Sequence, residues 1–226
     1  MKSVIIFGTG KIAEVVLHCL RHASNFEVAA CTVDREYLPT DDWHNLDCVA
    51  FENVEQHYPP SDFDMFVAMG SHYLNELRAT KIREAQAKGY HLVSYIHPES
   101  GLPSDCQPGP NCFVMNNVNI HPCVSLGENV FVWSGAMIGH HSRIGDHCWL
   151  SSSTNISGGV NVGDNCFFAV NATVGHSVRI GNRCFLGANS LVTRCTEDEQ
   201  VFVVESTKPF RLNSRQFLRL SGFASL

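Results

Sequence analysis

The segment IGHHSRIGDHCW, residues 138–149, holds three histidines, one cysteine and one aspartate. Imidazole, thiolate and carboxylate are the groups that bind zinc, and imidazole is also the side chain whose ordinary pKa suits proton transfer near neutral pH. Two chemistries are therefore open: a metal centre, or a histidine acting as general base. Zinc needs three or four ligands converging on one point at about 2.0–2.3 Å. The choice rests on how the chain around His140, His141, His147 and Cys148 folds.

That chain repeats every six residues. From Ile96 to Val192 every sixth position is Ile, Leu, Val or Phe, with Pro108 the one exception. The next residue is glycine at positions 109, 127, 139, 145, 163, 175, 181 and 187, and the fourth after the apolar one is small or β-branched, as at Ala136, Ser142, Thr154, Val160 and Ala172. Such a hexapeptide repeat builds a prism of three short strands per turn, with residue n over residue n+18 at roughly 4.8 Å. Aliphatic side chains point inward, and the glycines are expected to help the corners turn. The unbroken period leaves no room for an inserted loop.

Counting in eighteens places Cys112, Cys148, Cys166 and Cys184 in one inward column, as packing rather than as ligands. Phe131, Trp149, Phe167 and Phe185 form an aromatic column. His140 and His147 fall on different faces, so no zinc site converges within one chain and no metal is expected. His121, His147 and His176 read as structural.

Upstream, KSVIIF (2–7) reads as a buried parallel strand, GTGK as a turn and IAEVVLHCLRHA as an amphipathic helix. A second strand, FEVAACTVD, ends at Asp34; DMFVAMG followed by NELRATKIREAQAKG repeats the pattern, and HLVSYI (91–96) is a further strand. Residues 1–95 are thus expected to form a Rossmann-like α/β domain with its ligand crevice at the strand C-termini. Residues 96–195 form an all-β parallel β-helix, and 196–226 a C-terminal extension supplying a strand and a short terminal segment.

The 226 residues carry a formal charge of −6, 16 Lys+Arg against 22 Asp+Glu with no block of like charge, which argues against nucleic acid and anionic membrane surfaces. The apolar run near the N-terminus is too short for a signal peptide or a membrane span. The ten cysteines are accordingly expected as reduced thiols of a cytoplasmic protein whose partners are small molecules.

A Rossmann-like segment with GTGK, joined to a coil carrying I-x-H-x-x-x-I-G-D (138–146) and S-G-G-V-x-V-G (157–163), resembles the bacterial hexapeptide-repeat acyltransferases. These include the sugar-nucleotide N-acetyltransferases and the sialic acid O-acetyltransferases. The resemblance implies a left-handed coil, a homotrimer and acetyl-CoA as co-substrate. It implies as acceptor a UDP-, dTDP- or GDP-linked amino sugar for bacterial glycan, O-antigen or lipopolysaccharide assembly.

Carried across by motif, the family's general base falls on His140, and the backbone N–H that holds the thioester oxygen falls on Gly158. CoA contacts are implied at Gly158, Gly175, Ala188 and Lys208. The nucleotide sugar would meet Gly8 and Gly10, with Asp34 toward the nucleoside and Gly70, Ser71 and Arg78 lining the same crevice. Three positions depart from the family. His141 stands where an acid usually orients the base, and Trp133 and Trp149 stand where polar residues usually flank the acceptor sugar, implying a more hydrophobic pocket. Relatives resembling γ-class carbonic anhydrases place histidines two coils apart, as His140 and His176 are, but their third ligand position is Gly181 here. O-acetylation of a sialic-acid-like sugar and a non-catalytic nucleotide-sugar-binding trimer remain as alternatives.

Overall fold

The structure, a computed structural model, describes residues 3–23 and 25–221. The expected strand start at Lys2 and the last five residues of the extension lie outside them.

The N-terminal region is a parallel sheet of β1 (Ser3–Phe7), β2 (Val28–Val33), β3 (Asp47–Ala50) and β4 (Phe63–Val67), in the order β3-β2-β1-β4. Side-chain alternation decides what covers each face. Val4, Ile6, Cys31 and Phe66 pack with Val16, Leu17 and Leu20 of α1 (Lys11–His22), while Ile5, Phe7, Ala30, Met65 and Val67 pack with the single turn α2 (Val54–His57) and with Ile82 and Ala85 of α3 (Glu76–Ala87). The short strand β3 went unrecognised in the sequence. The expected strand 91–96 is also corrected: Leu92 makes only a bridge to Met65, and Tyr95–Ile96 already pairs with Phe113–Val114 as the first rung of the coil.

β2 and β3 run in register with Cys31 opposite Cys48, their Cα atoms 4.6 Å apart, and the two are joined by a disulfide. That separation lies within the range a disulfide can span. The expectation of uniformly reduced thiols is thus corrected for this pair. The column cysteines Cys112, Cys148, Cys166 and Cys184 are free and wholly buried.

From Phe113–Val114 to Leu191–Val192 the coil places a two-residue strand every six residues, in three parallel sheets, each pairing n with n+18. Val201–Phe202 adds a last rung. The apolar hexad positions fill the prism, with Ile138, Leu150, Ile156, Phe168 and Val174 all at zero exposure.

The corners turn differently from expectation. The left-handed backbone falls two residues after the glycine position, at Asn117, Asn129, His141, His147, Ser153 and Asn165, and several of these are asparagine, the side chain that best tolerates it. The hexad glycines answer a different need, the close approach of successive coils. A Cβ on Gly139 would stand 2.5 Å from the Gly158 nitrogen.

The coil meets the sheet through its aromatic column: Phe113, Phe131 and Trp149 pack against Phe66, Tyr95 and Cys19. Arg78 pins this junction. It is wholly buried, donates through Nε to Asn129 Oδ1 at 2.7 Å and through Nη1 to the carbonyls of Met69 and Gly70, and lies 4.2 Å from the Phe131 ring centroid. Burial pushes its guanidinium down to about 9, which still leaves it cationic at neutral pH. Arg78 therefore supports the crevice from beneath rather than lining it, which corrects the expected ligand contact. Arg78→Met leaves these acceptors unpaired and is expected to lower the unfolding free energy by about 1–3 kcal/mol, measured by urea unfolding.

Candidate active site

His140 sits on the corner that follows the strand Met137–Ile138, and Gly158 occupies the same corner one coil later. The two touch. A Cβ on Gly158 would lie 2.7 Å from His140 Nε2 and 2.8 Å from Cε1, so only glycine leaves room for the ring in this position. The backbone around Gly158 is held from both sides: Gly159 donates to the His140 carbonyl at 2.8 Å and Ser177 donates to the Gly158 carbonyl at 3.0 Å.

The Gly158 N–H has no acceptor among the described residues. A second corner of the prism differs in this respect. There the N–H groups of Glu128, Asp146 and Asp164 are each taken by a side-chain oxygen one coil on, from Asp146, Asp164 and Asn182. On the His140 corner the corresponding residues are Pro122, His140, Gly158 and His176, and none forms such a cap. An exposed imidazole nitrogen beside a fixed, unclaimed N–H can move a proton and hold a developing oxyanion within one small space.

His141 stands where the family resemblance implies an acid. Its Nδ1 lies 3.1 Å from His140 Nδ1. If His140 donates across this contact, its Nε2 is left with a free lone pair facing Gly158, the tautomer a base requires. The His176 ring flanks that of His140 at 6.3 Å between centroids. Sequence reasoning registered this spacing but gave His176 no part in the site. His147 lies on the other corner, with Nδ1 3.1 Å from Asn129 Nδ2 and Nε2 3.4 Å from Glu128, and burial lowers its pKa. Among the described residues no three His, Cys, Asp or Glu side chains gather as a metal site would require. Cys148 is wholly buried, and that burial pushes its thiol well up, which leaves it unsuited to act as a nucleophile.

In the α/β region Gly8, Gly10, Gly70 and Ser71 come together at the C-terminal ends of β1 and β4. This is the switch point of the sheet, where a crevice opens in folds of this type. Gly8 has φ +120, and a Cβ there would meet the Ala68 carbonyl at 2.9 Å; Gly10 caps α1, which starts directly after this turn. Asp34, at the end of β2, is paired with Lys81 at 2.7 Å.

The remaining expected contacts are scattered. Trp149 is stacked between Phe131 and Phe167 and is only 8% exposed, which corrects its expected place beside a sugar. Trp133 packs on Trp149 at 5.4 Å, and its buried indole N–H has no partner among the described residues. Gly175 shares the His140 corner, whereas Ala188 follows a different sheet and Lys208 is exposed in the extension.

One relation is topological. The His140 corner joins the sheet containing Met137–Ile138 to that containing Arg143–Ile144, while the α/β region covers the third sheet through Phe113, Phe131 and Trp149. Within one chain the crevice and His140 therefore lie on opposite sides of the prism.

The sequence matches the bacterial transferase hexapeptide (six repeats) family over residues 109–140 and 159–194, and the hexapeptide repeat of succinyl-transferase over residues 142–175. Comparison with curated proteins gave no match. Among solved structures the chain is similar to PerB from Caulobacter crescentus in complex with CoA and GDP-perosamine, at 30% identity over 89% of this chain and 93% of that one, with TM-score 0.79. A variant of perosamine N-acetyltransferase from the same organism, with one histidine replaced by asparagine and with CoA and GDP-perosamine bound, is 27% identical over 89% and 93%, with TM-score 0.68. The acetyltransferase domain of PglB from Neisseria gonorrhoeae shares the fold at 19% identity over 89% and 96%, with TM-score 0.79.

Proposed function

The chain belongs to the hexapeptide-repeat sugar N-acetyltransferases, and we propose that it moves the acetyl group of acetyl-CoA to the amine of a nucleoside-diphosphate-linked amino sugar. The observation that carries the mechanism is the contact of His140 Nε2 with Gly158, whose N–H is unclaimed. The sugar amine attacks the thioester carbonyl and His140 Nε2 takes its proton. The Gly158 N–H holds the carbonyl oxygen as it becomes an oxyanion, the C–S bond breaks, and the CoA sulfur leaves with the proton that His140 returns. His141 orients the ring and supports its charge. No covalent enzyme intermediate is needed.

The acceptor is read from the crevice at Gly8, Gly10, Gly70 and Ser71, whose helix N-terminus suits a diphosphate, and from the relative that binds GDP-perosamine. That crevice faces away from the chain's own His140, so the acceptor must be presented by a neighbouring subunit. This supports a homotrimer, with CoA held in the groove between prisms. Cytoplasmic assembly of a bacterial glycan is the setting that fits these substrates.

The reading is tested by release of CoA thiol from acetyl-CoA with a panel of nucleotide amino sugars, against free sialic acid. Thiol release with a nucleotide amino sugar is expected. Release with sialic acid alone assigns O-acetylation, and nucleotide-sugar binding with no release from any acceptor removes the enzyme reading.

A further inference from the structure

The C-terminal extension carries a charge pattern that the net charge conceals. From Ser206 onward lie Lys208, Arg211, Arg215 and Arg219 with no Asp or Glu, while the whole chain stands at −6, so the residues before Ser206 carry −10. The helix α4 (Ser214–Ser221) in this stretch is specified locally. Asn213 Oδ1 accepts the Gln216 N–H at 3.0 Å and Gln216 Oε1 accepts the Asn213 N–H at 3.2 Å, a reciprocal cap that starts the helix without help from the body.

At about 100° per residue, Phe217, Leu218 and Leu220 share one side of α4 and Arg215 and Arg219 the other. Phe210 packs edge-on to Phe217 at 5.8 Å between centroids and extends the apolar side. No residue of α4 is buried, and Phe210, Phe217, Leu218 and Leu220 are 63%, 44%, 46% and 75% exposed.

We propose that this extension is a peripheral anchor that lays α4 on an anionic lipid bilayer surface. A helix with Phe and Leu on one side and only cations on the other partitions into the boundary between headgroups and acyl chains. Each Lys or Arg near an anionic surface adds roughly a fivefold gain in partitioning. The acidic body is repelled by the same surface, so only the extension approaches it, and the contact is reversible and weakened by salt.

A second copy of the chain is the competing occupant, and the oligomeric state of the full chain distinguishes the two. The expectation of no anionic surface followed from the chain-wide charge. The cationic block emerges only when the extension is separated from the body. The anchor is independent of acetyl transfer, and vesicle binding is read without the substrate.

The test is co-sedimentation of the full chain with vesicles of phosphatidylcholine alone and of phosphatidylcholine mixed equally with phosphatidylglycerol, beside the variant Arg215→Gln/Arg219→Gln. Oligomeric state and turnover are measured for both proteins. Binding to the anionic vesicles only is expected, reversed by salt and lowered about 30-fold in the variant, with turnover on soluble substrate unchanged. Absence of binding, equal binding to both vesicle types, or full retention by the variant overturns the proposal. A changed oligomeric state in the variant without vesicle binding assigns α4 to a second copy and overturns it equally.

Discussion

Gly158→Ala is expected to give a folded protein that has lost acetyl transfer by at least about 10²-fold in kcat, the typical cost of disturbing an oxyanion donor. The added Cβ would stand 2.7 Å from His140 Nε2, so the ring must leave its place over the Gly158 backbone. Gly158 lacks the left-handed backbone found at the corner residues, and the nearest atoms an alanine Cβ would meet there all belong to the His140 ring. Thermal unfolding should therefore move little while turnover collapses. Because one displacement removes both the base and access to the oxyanion donor, adding His140→Ala should cost little more, the non-additivity of groups that act as a unit. Near-normal kcat in Gly158→Ala would remove this contact from the mechanism.

His140→Ala alone is expected to lower kcat by about 10²–10⁴-fold with little change in the KM for acetyl-CoA, the signature of losing a group that works in the transition state. Steady-state kinetics with acetyl-CoA varied at saturating acceptor separates the two parameters. The role of His141 follows from the same geometry. His141→Phe removes the 3.1 Å contact to His140 Nδ1 and is expected to cost about tenfold in kcat. His141→Asp keeps a partner for Nδ1, tolerates the φ of +58 at this corner and should retain or raise activity. Equal losses in both variants would mean that His141 serves only the corner.

The coil and the geometry of its His140 corner were largely legible in the sequence. A repeat of six residues puts every contact at a fixed separation, so the neighbour of His140 one coil on is Gly158 by counting, and the inward cysteines and the aromatic column follow in the same way. The hexad glycines were located correctly but their reason was not. The left-handed residues stand two positions further on, mostly asparagine, histidine and serine, while the hexad glycines permit the coils to approach. His176 shows the limit of counting: its separation from His140 was clear, but not that the two rings would stand 6.3 Å apart.

The α/β region was legible as strand–turn–helix units and much less so in its details. β3 is only four residues long and begins with an aspartate, so it carried little periodicity, and without it nothing brought Cys31 opposite Cys48. Arg78 and Trp149 were placed beside the ligand by the family resemblance, which matches positions along the chain and says nothing of burial. Both are buried where the sheet docks on the coil.

By itself the sequence determined the hexad coil, the glycine turn at the end of β1 and the placing of His140 over Gly158, because each rests on a local period or motif. The tertiary structure alone decided that Arg78 supports the crevice from beneath, that Cys31 and Cys48 pair, that the Gly158 N–H is left unclaimed, and that His140 and the crevice face opposite ways. These depend on the packing of two non-repeating surfaces, Phe66 and Tyr95 on one side and Phe113, Phe131 and Trp149 on the other. No single segment encodes which contacts such a junction will make, because burial is a property of both partners at once.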